Sequence, residues 1–165
     1  MSSRFTPAAV RFYYRAPDGI VARWNNIVIQ YRNGALVAEV IDAVVKVGKE
    51  FESGSKVAAL AVLDGKAVIP SSELRTKQRD VIRDLLGQFD AKMAVVVRGD
   101  DVWTQLLKSF ARLVAVGEPR VMMAKSIGDA IQWLTPVDAT TVDDLRAFWV
   151  FIESCASETN RGVSR

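Results

Sequence analysis

The stretch KVAALAVL, residues 56–63, decides the fold. After its lysine the run is apolar without interruption, so it lacks the in–out alternation of a strand with one wet face. A continuous run of this length suits a strand covered on both sides, as at the centre of a parallel sheet. AKMAVVVRG, 91–99, repeats the pattern, and PRVMMAK, 119–125, reads as a third, shorter strand. Between the first two, residues 71–89 carry Leu74, Val81, Ile82, Leu85 and Phe89 at helical spacing. A helix between two buried strands implies a right-handed crossover joining parallel neighbours.

Working outward, AVRFYYR, 9–15, and IVARW, 20–24, flank APDG, 16–19. Pro17 presets φ, Asp18 bonds its own backbone and Gly19 permits positive φ, so a β-hairpin is expected. IVIQY, 27–31, either extends the second strand past Asn25-Asn26 or begins the next element. From Asn33, the residues Leu36, Val37, Val40, Ile41, Val44, Val45 and Val47 recur with a helical period, predicting a helix of about four turns that ends near Gly54. Asp100 and Asp101 are acids suited to a helix start, ahead of an apolar stripe of Trp103, Leu106, Leu107, Phe110, Leu113 and Val114. Ser126 with Asp129 opens a helix over IGDAIQWL, which Thr135-Pro136 breaks. Thr141 with Asp144 repeats the capping pattern before a last helix through Leu145, Phe148, Trp149, Ile152 and Cys155.

The expected class is α/β: a mixed sheet with a parallel centre, in the order β-β-α-β-α-β-α-β-α plus a C-terminal helix. Residues 1–135 form the domain, 136–158 a helix packed on it, and 159–165 a frayed polar tail.

Composition narrows the function. The chain has 165 residues and a net charge of +3, with acids interspersed among the bases and no concentrated basic run. Nucleic acid is therefore not an expected partner. The chain contains no histidine and one cysteine, Cys155. That excludes histidine-dependent triads, phosphotransfer through histidine and the commonest zinc sites, so no metal or cofactor is expected. The opening MSSRFTPAAV lacks the pattern of a signal peptide, and the longest apolar runs are too short to cross a bilayer. A cytoplasmic location is expected.

Three pieces resemble a known family: KVAALAVLDGKAVIPSSEL, AKMAVVVRGDDVWTQLL and PRVMMAKSIGDAIQWL. In order and pattern, residues 9–134 look like a STAS domain, the fold of bacterial anti-sigma-factor antagonists, and more closely the SpoIIAA-like or STAS/SEC14-like proteins. The resemblance implies a non-catalytic regulatory module of the bacterial cytoplasm that binds a protein partner in a partner-switching pathway. The alternative it implies is a SEC14-like protein that binds a small molecule or lipid, whose signature is an internal apolar cavity. In the antagonist branch a serine at the start of the helix after the second apolar strand is phosphorylated. Carried over, Ser71 falls at the acceptor position with Ser72 beside it, while Pro70 and Glu73 replace the acidic residue and the glycine of that pattern.

The same residues have plainer readings. Ser71 at a helix start serves as an N-cap without any phosphate. Arg75, Arg79 and Arg83, at i, i+4 and i+8, form either a partner-binding ridge or a solvated flank paired with Asp80 and Asp84. LDGK, 63–66, is a turn, since it has no second glycine spaced for a phosphate loop. Asp64 and Asp100 are the weakest candidates, for a small enzyme, and Cys155 reads as a buried small hydrophobe. Phe148, Trp149 and Phe151 on the last helix either pack against the sheet or meet a partner or second copy in a homodimer.

Overall fold

The computed structural model describes residues 3–64, 67–99, 101, 104, 105, 108, 109, 112, 117–135 and 140–162. The chain is an α/β protein built on a six-stranded mixed sheet in the order β1-β2-β3-β4-β5-β6. β1 (Arg11–Ala16) and β2 (Gly19–Trp24) form the hairpin that Pro17-Asp18 turns, and the Tyr14 hydroxyl donates to Asp18 Oδ1 at 2.8 Å. The Asn25-Asn26 pair is a second tight turn, with Asn25 at φ 50°, and it sends β3 (Ile27–Arg32) back antiparallel to β2. IVIQY is thus a separate strand rather than an extension, because asparagine tolerates the left-handed backbone that a two-residue turn demands.

From β3 onward every strand is parallel to its neighbour: β4 (Lys56–Leu63), β5 (Asp90–Val97) and β6 (Val121–Ala124). The buried runs at 56–63 and 91–97 lie side by side, Leu60 opposite Ala94. The crossovers are α1 (Ala38–Gly48) and α2 (Ser72–Gln88). Because the strand order never reverses, successive right-handed crossovers put α1 and α2 on one face, where they pack together. α1 is shorter than its periodic run predicts: Leu36 is buried before the helix begins, and the helix stops at Gly48 rather than near Gly54.

The opposite face carries α3 (Ile127–Leu134) and α4 (Val142–Gly162). Ser126 Oγ accepts from the Asp129 N–H at 3.1 Å, and Thr141 and Asp144 cap each other reciprocally, Thr141 N–H to Asp144 Oδ2 and Asp144 N–H to Thr141 Oγ1, both at 3.1 Å. α4 continues through residues 159–162, so most of the expected tail is helical. Asp144 also accepts from the backbone of Arg4 and Phe5 and from Ser3 Oγ. That pins the N-terminal segment beside Phe148, on which Phe5 stacks at 5.5 Å. In the remaining crossover Thr104, Gln105, Lys108, Ser109 and Arg112 are helical, and Asp101 Oδ1 accepts from the Thr104 N–H at 2.7 Å. Asp100 and the apolar stripe expected there (Trp103, Leu106, Leu107, Phe110, Leu113, Val114) lie outside the described residues. Among the described residues no helix is long and apolar enough to cross a membrane.

Candidate functional site

Strand alternation divides β4 between two environments. Ala58, Leu60 and Val62 join the main core under α3 and α4, with Ile29, Ile131 and Phe148. Val57, Ala59 and Ala61 face α1 and α2 instead, and there the packing is incomplete: a partly open cavity of about 100 Å³ lies between the two helices and the sheet. Its floor includes the short side chains of Ala59 and Ala61 of β4, flanked by Gln30 of β3 and Met93 of β5. Its roof is Val44 and Val47 of α1 and Val81, Ile82 and Leu85 of α2. Leu85 of α2 lies over Gly48 of α1, where a Cβ would run into the leucine. Of α2's apolar face only Leu86 is fully buried; Leu74, Val81, Ile82 and Leu85 are half-buried.

α2 also carries the serines and arginines singled out above. Ser71 is its N-cap, accepting from the Leu74 N–H at 3.4 Å, and Ser72 is its first residue; both are exposed. Arg75, Arg79 and Arg83 are exposed as well, and Arg79 pairs with Asp80 at 3.6 Å. Lys77 ties α2 to α1 through Asp42 at 3.0 Å. The five residues therefore share the outer surface of the helix that roofs the cavity.

The aromatics of α4 are not on a surface. Phe148 is fully buried and Trp149 is 4% exposed, packed against Trp24 and Tyr31 of the sheet. Phe151 is half-buried between Phe5 and Phe12. The chain's own core takes up the first two, and the exposed apolar residue of that helix is Val150.

The C-terminal ends of the parallel strands gather the polar groups. Asp64 accepts from the Tyr31 hydroxyl at 2.9 Å and from Arg98 Nη2 at 3.3 Å, and Arg98 Nη1 reaches Glu153 at 2.7 Å. Burial, reinforced by the hydrogen bond to Asp64, pushes the Tyr31 hydroxyl up to about 12. Burial acts to lower the Arg98 pKa, but the bond to Glu153 and the charges of Asp64 and Glu153 outweigh it and raise it. These pairs fasten α4 to the sheet. Crevices in open α/β sheets form where neighbouring crossovers diverge to opposite faces. With the order β3-β4-β5-β6 unreversed, that ground for an Asp64 ligand site is missing.

Arg32, at the end of β3, is 3% exposed. Its Nε and Nη1 have no hydrogen-bond partner among the described residues. Cys155 is buried, and burial raises its thiol pKa. Among the described residues no three His, Cys, Asp or Glu side chains gather so as to hold a metal ion.

Neither the cavity nor Arg32 stands out in the pattern reading. The available signals were three alanines within KVAALAVL, where a well-filled central strand carries larger residues, and a charged residue directly closing IVIQY. Comparisons with protein-family models, curated proteins and solved structures returned no match.

Proposed function

We propose that the chain is a non-catalytic binding module that holds a small apolar ligand, or the apolar end of a larger one, between α1, α2 and the sheet. The observation that carries this reading is the cavity of about 100 Å³. Protein interiors are otherwise close-packed, and an enclosed empty space of that size would cost about 2 kcal/mol at roughly 24 cal/mol per Å³, with less for this partly open one. An occupant would recover that loss. The walls are apolar apart from Gln30, Gln78 and Lys92, a lining that suits an apolar molecule with a few polar contacts. Volume sets the ligand's size: a single ring or a short alkyl chain fits, whereas sites for drug-sized molecules run to roughly 300 Å³ or more. Among SEC14-like readings this favours the end of an acyl chain over a whole lipid.

The test uses benzene and 1-hexanol as probes in thermal unfolding, with native mass spectrometry of the freshly purified protein. A saturable rise in Tm that Ala59→Phe abolishes, or a bound apolar mass, supports the reading. No shift with either probe and no bound mass would refute it.

A second reading, regulatory docking of a protein partner as in the STAS resemblance, is favoured by one further observation. Ser71, Ser72, Arg75, Arg79 and Arg83 all lie exposed on α2. A phosphate on Ser71 would meet the open N–H groups and dipole of that helix, and would add nearly two negative charges to the docking face. Partner capture weakened by Ser71→Asp or Arg79→Glu supports it, and capture unchanged by both places the contact elsewhere.

A further inference from the structure

β3 ends in a buried cation. Arg32 is 3% exposed, and neither Nε nor Nη1 meets an acceptor among the described residues. Taking a guanidinium out of water without a counter-charge is far more costly than burying an apolar side chain of similar size. Other part-buried arginines of the chain are supplied with partners: Arg98 with Asp64 and Glu153, Arg120 with Glu118 and the carbonyl of Leu86. Burial lowers the Arg32 pKa to about 10, with no carboxylate among the described residues acting against it, so the side chain stays charged at neutral pH.

Its strand neighbours give it no counter-charge. Across the sheet Arg32 pairs with Gly19 of β2 and Leu63 of β4, neither of which offers an acceptor side chain. Nearby Asp18 is engaged by the Tyr14 hydroxyl. Five residues further on, Val37 is the N-cap of α1 and makes no side-chain hydrogen bond, so the first-turn N–H groups lack the side-chain acceptor that Ser71 gives α2, although Glu39 places one carboxylate in that turn.

We infer that Arg32 anchors a binding site for a small oxyanion, a carboxylate or phosphate group, at the C-terminal end of β3, with the uncapped start of α1 contributing N–H groups. A guanidinium fork binds either group through paired N–H donors, and a helix N-terminus favours negative charge. The anion has two sources. It is either free in solution, or the head of the ligand whose apolar part occupies the cavity, because Gln30, two residues back on the same strand face, lines that cavity.

The experiment is thermal unfolding of the full chain at constant ionic strength, with chloride replaced by phosphate, acetate or hexanoate. It is paired with an NMR titration of the Arg32 Nε–Hε signal by phosphate. The wild type should gain about 4 °C over chloride at ten times the dissociation constant. Arg32→Met should lose that gain, and Arg32→Lys should keep a weaker one, since an ammonium cannot bind in the bidentate manner. A larger shift with hexanoate than with acetate identifies the head of the cavity ligand, and equal shifts identify a free anion. No gain over chloride, an equal gain in Arg32→Met, or an Nε–Hε signal unmoved by phosphate would each overturn the assignment. If Arg32→Met does not fold, the titration of the wild type decides. Benzene and hexanol shifts do not involve Arg32, so the cavity reading stands or falls separately.

Discussion

Ala58 and Ala59 are chain neighbours on β4 that face opposite sides of the sheet, and the same substitution at each should have opposite effects. At Ala59, which lines the cavity, valine adds two methyl groups that fill about half of a space of about 100 Å³. At about 24 cal/mol per Å³ that recovers roughly 1.2 kcal/mol, and the lost rotamer freedom takes back about 0.5 kcal/mol or less. Ala59→Val should therefore stabilise by about 1 kcal/mol, raising Tm by about 3 °C. Ala58 is 1% exposed and packed in the main core. There the added methyls have no space to enter, and Ala58→Val should destabilise by about 1–3 kcal/mol. Urea unfolding followed by circular dichroism reads both, with the midpoint moving in opposite directions and the slope unchanged. The reasoning fails if Ala59→Val destabilises as much as Ala58→Val. That result would mean that α1 and α2 already close onto β4, and the ligand site would go with the cavity.

Three further outcomes are expected. Ser71→Ala should lower stability by about 0.5–1 kcal/mol through loss of the cap, and Ser71→Asp should restore it, both seen as shifts in the urea midpoint. Asp144 has its pKa lowered below 3.8 because hydrogen bonds from Thr141, Arg4 and Ser3 outweigh the raising effect of burial. A depressed carboxylate contributes stability that is complete above its unfolded pKa and is lost as pH falls through the folded one. The wild type should accordingly lose stability below about pH 4, with Asp144→Ala flattening that limb and costing about 3 kcal/mol near neutrality from the N–H groups left without an acceptor. Arg98→Leu severs the links to Asp64 and Glu153 but leaves the packing of α4. With a side chain one-third exposed, it should cost only about 1 kcal/mol in urea unfolding, less still in high salt.

Much of the fold was legible in local pattern. The apolar runs at 56–63 and 91–97 are strands paired side by side, the 71–89 periodicity is α2, and the Ser126 and Thr141 capping patterns open the helices expected of them. These signals are short-range: a Ser or Thr three residues before an acid meets its partner within one helical turn whatever the rest of the chain does. IVIQY was ambiguous because Asn25-Asn26 reads equally as part of an extended segment or as a turn, and only pairing across β2 and β3 separates the two. The aromatics of α4 were ambiguous for a related reason. An apolar stripe shows which side of a helix seeks cover, but not whether the sheet or a partner supplies it.

Sequence alone determined the α/β class and most of the elements, all but the separate strand at 27–32, since these depend on residue identity and on spacing within a few turns. Tertiary structure alone decided which alanine of KVAALAVL faces a filled core and which an unfilled one. A run apolar on both faces carries no mark of direction, and the gap depends on how α1 and α2 seat over that face of the sheet. The same holds for Arg32. A charged residue closing a strand ordinarily meets water, and the enclosure of Arg32, with no acceptor for Nε or Nη1 among the described residues, arises only once residues distant in sequence have folded over it.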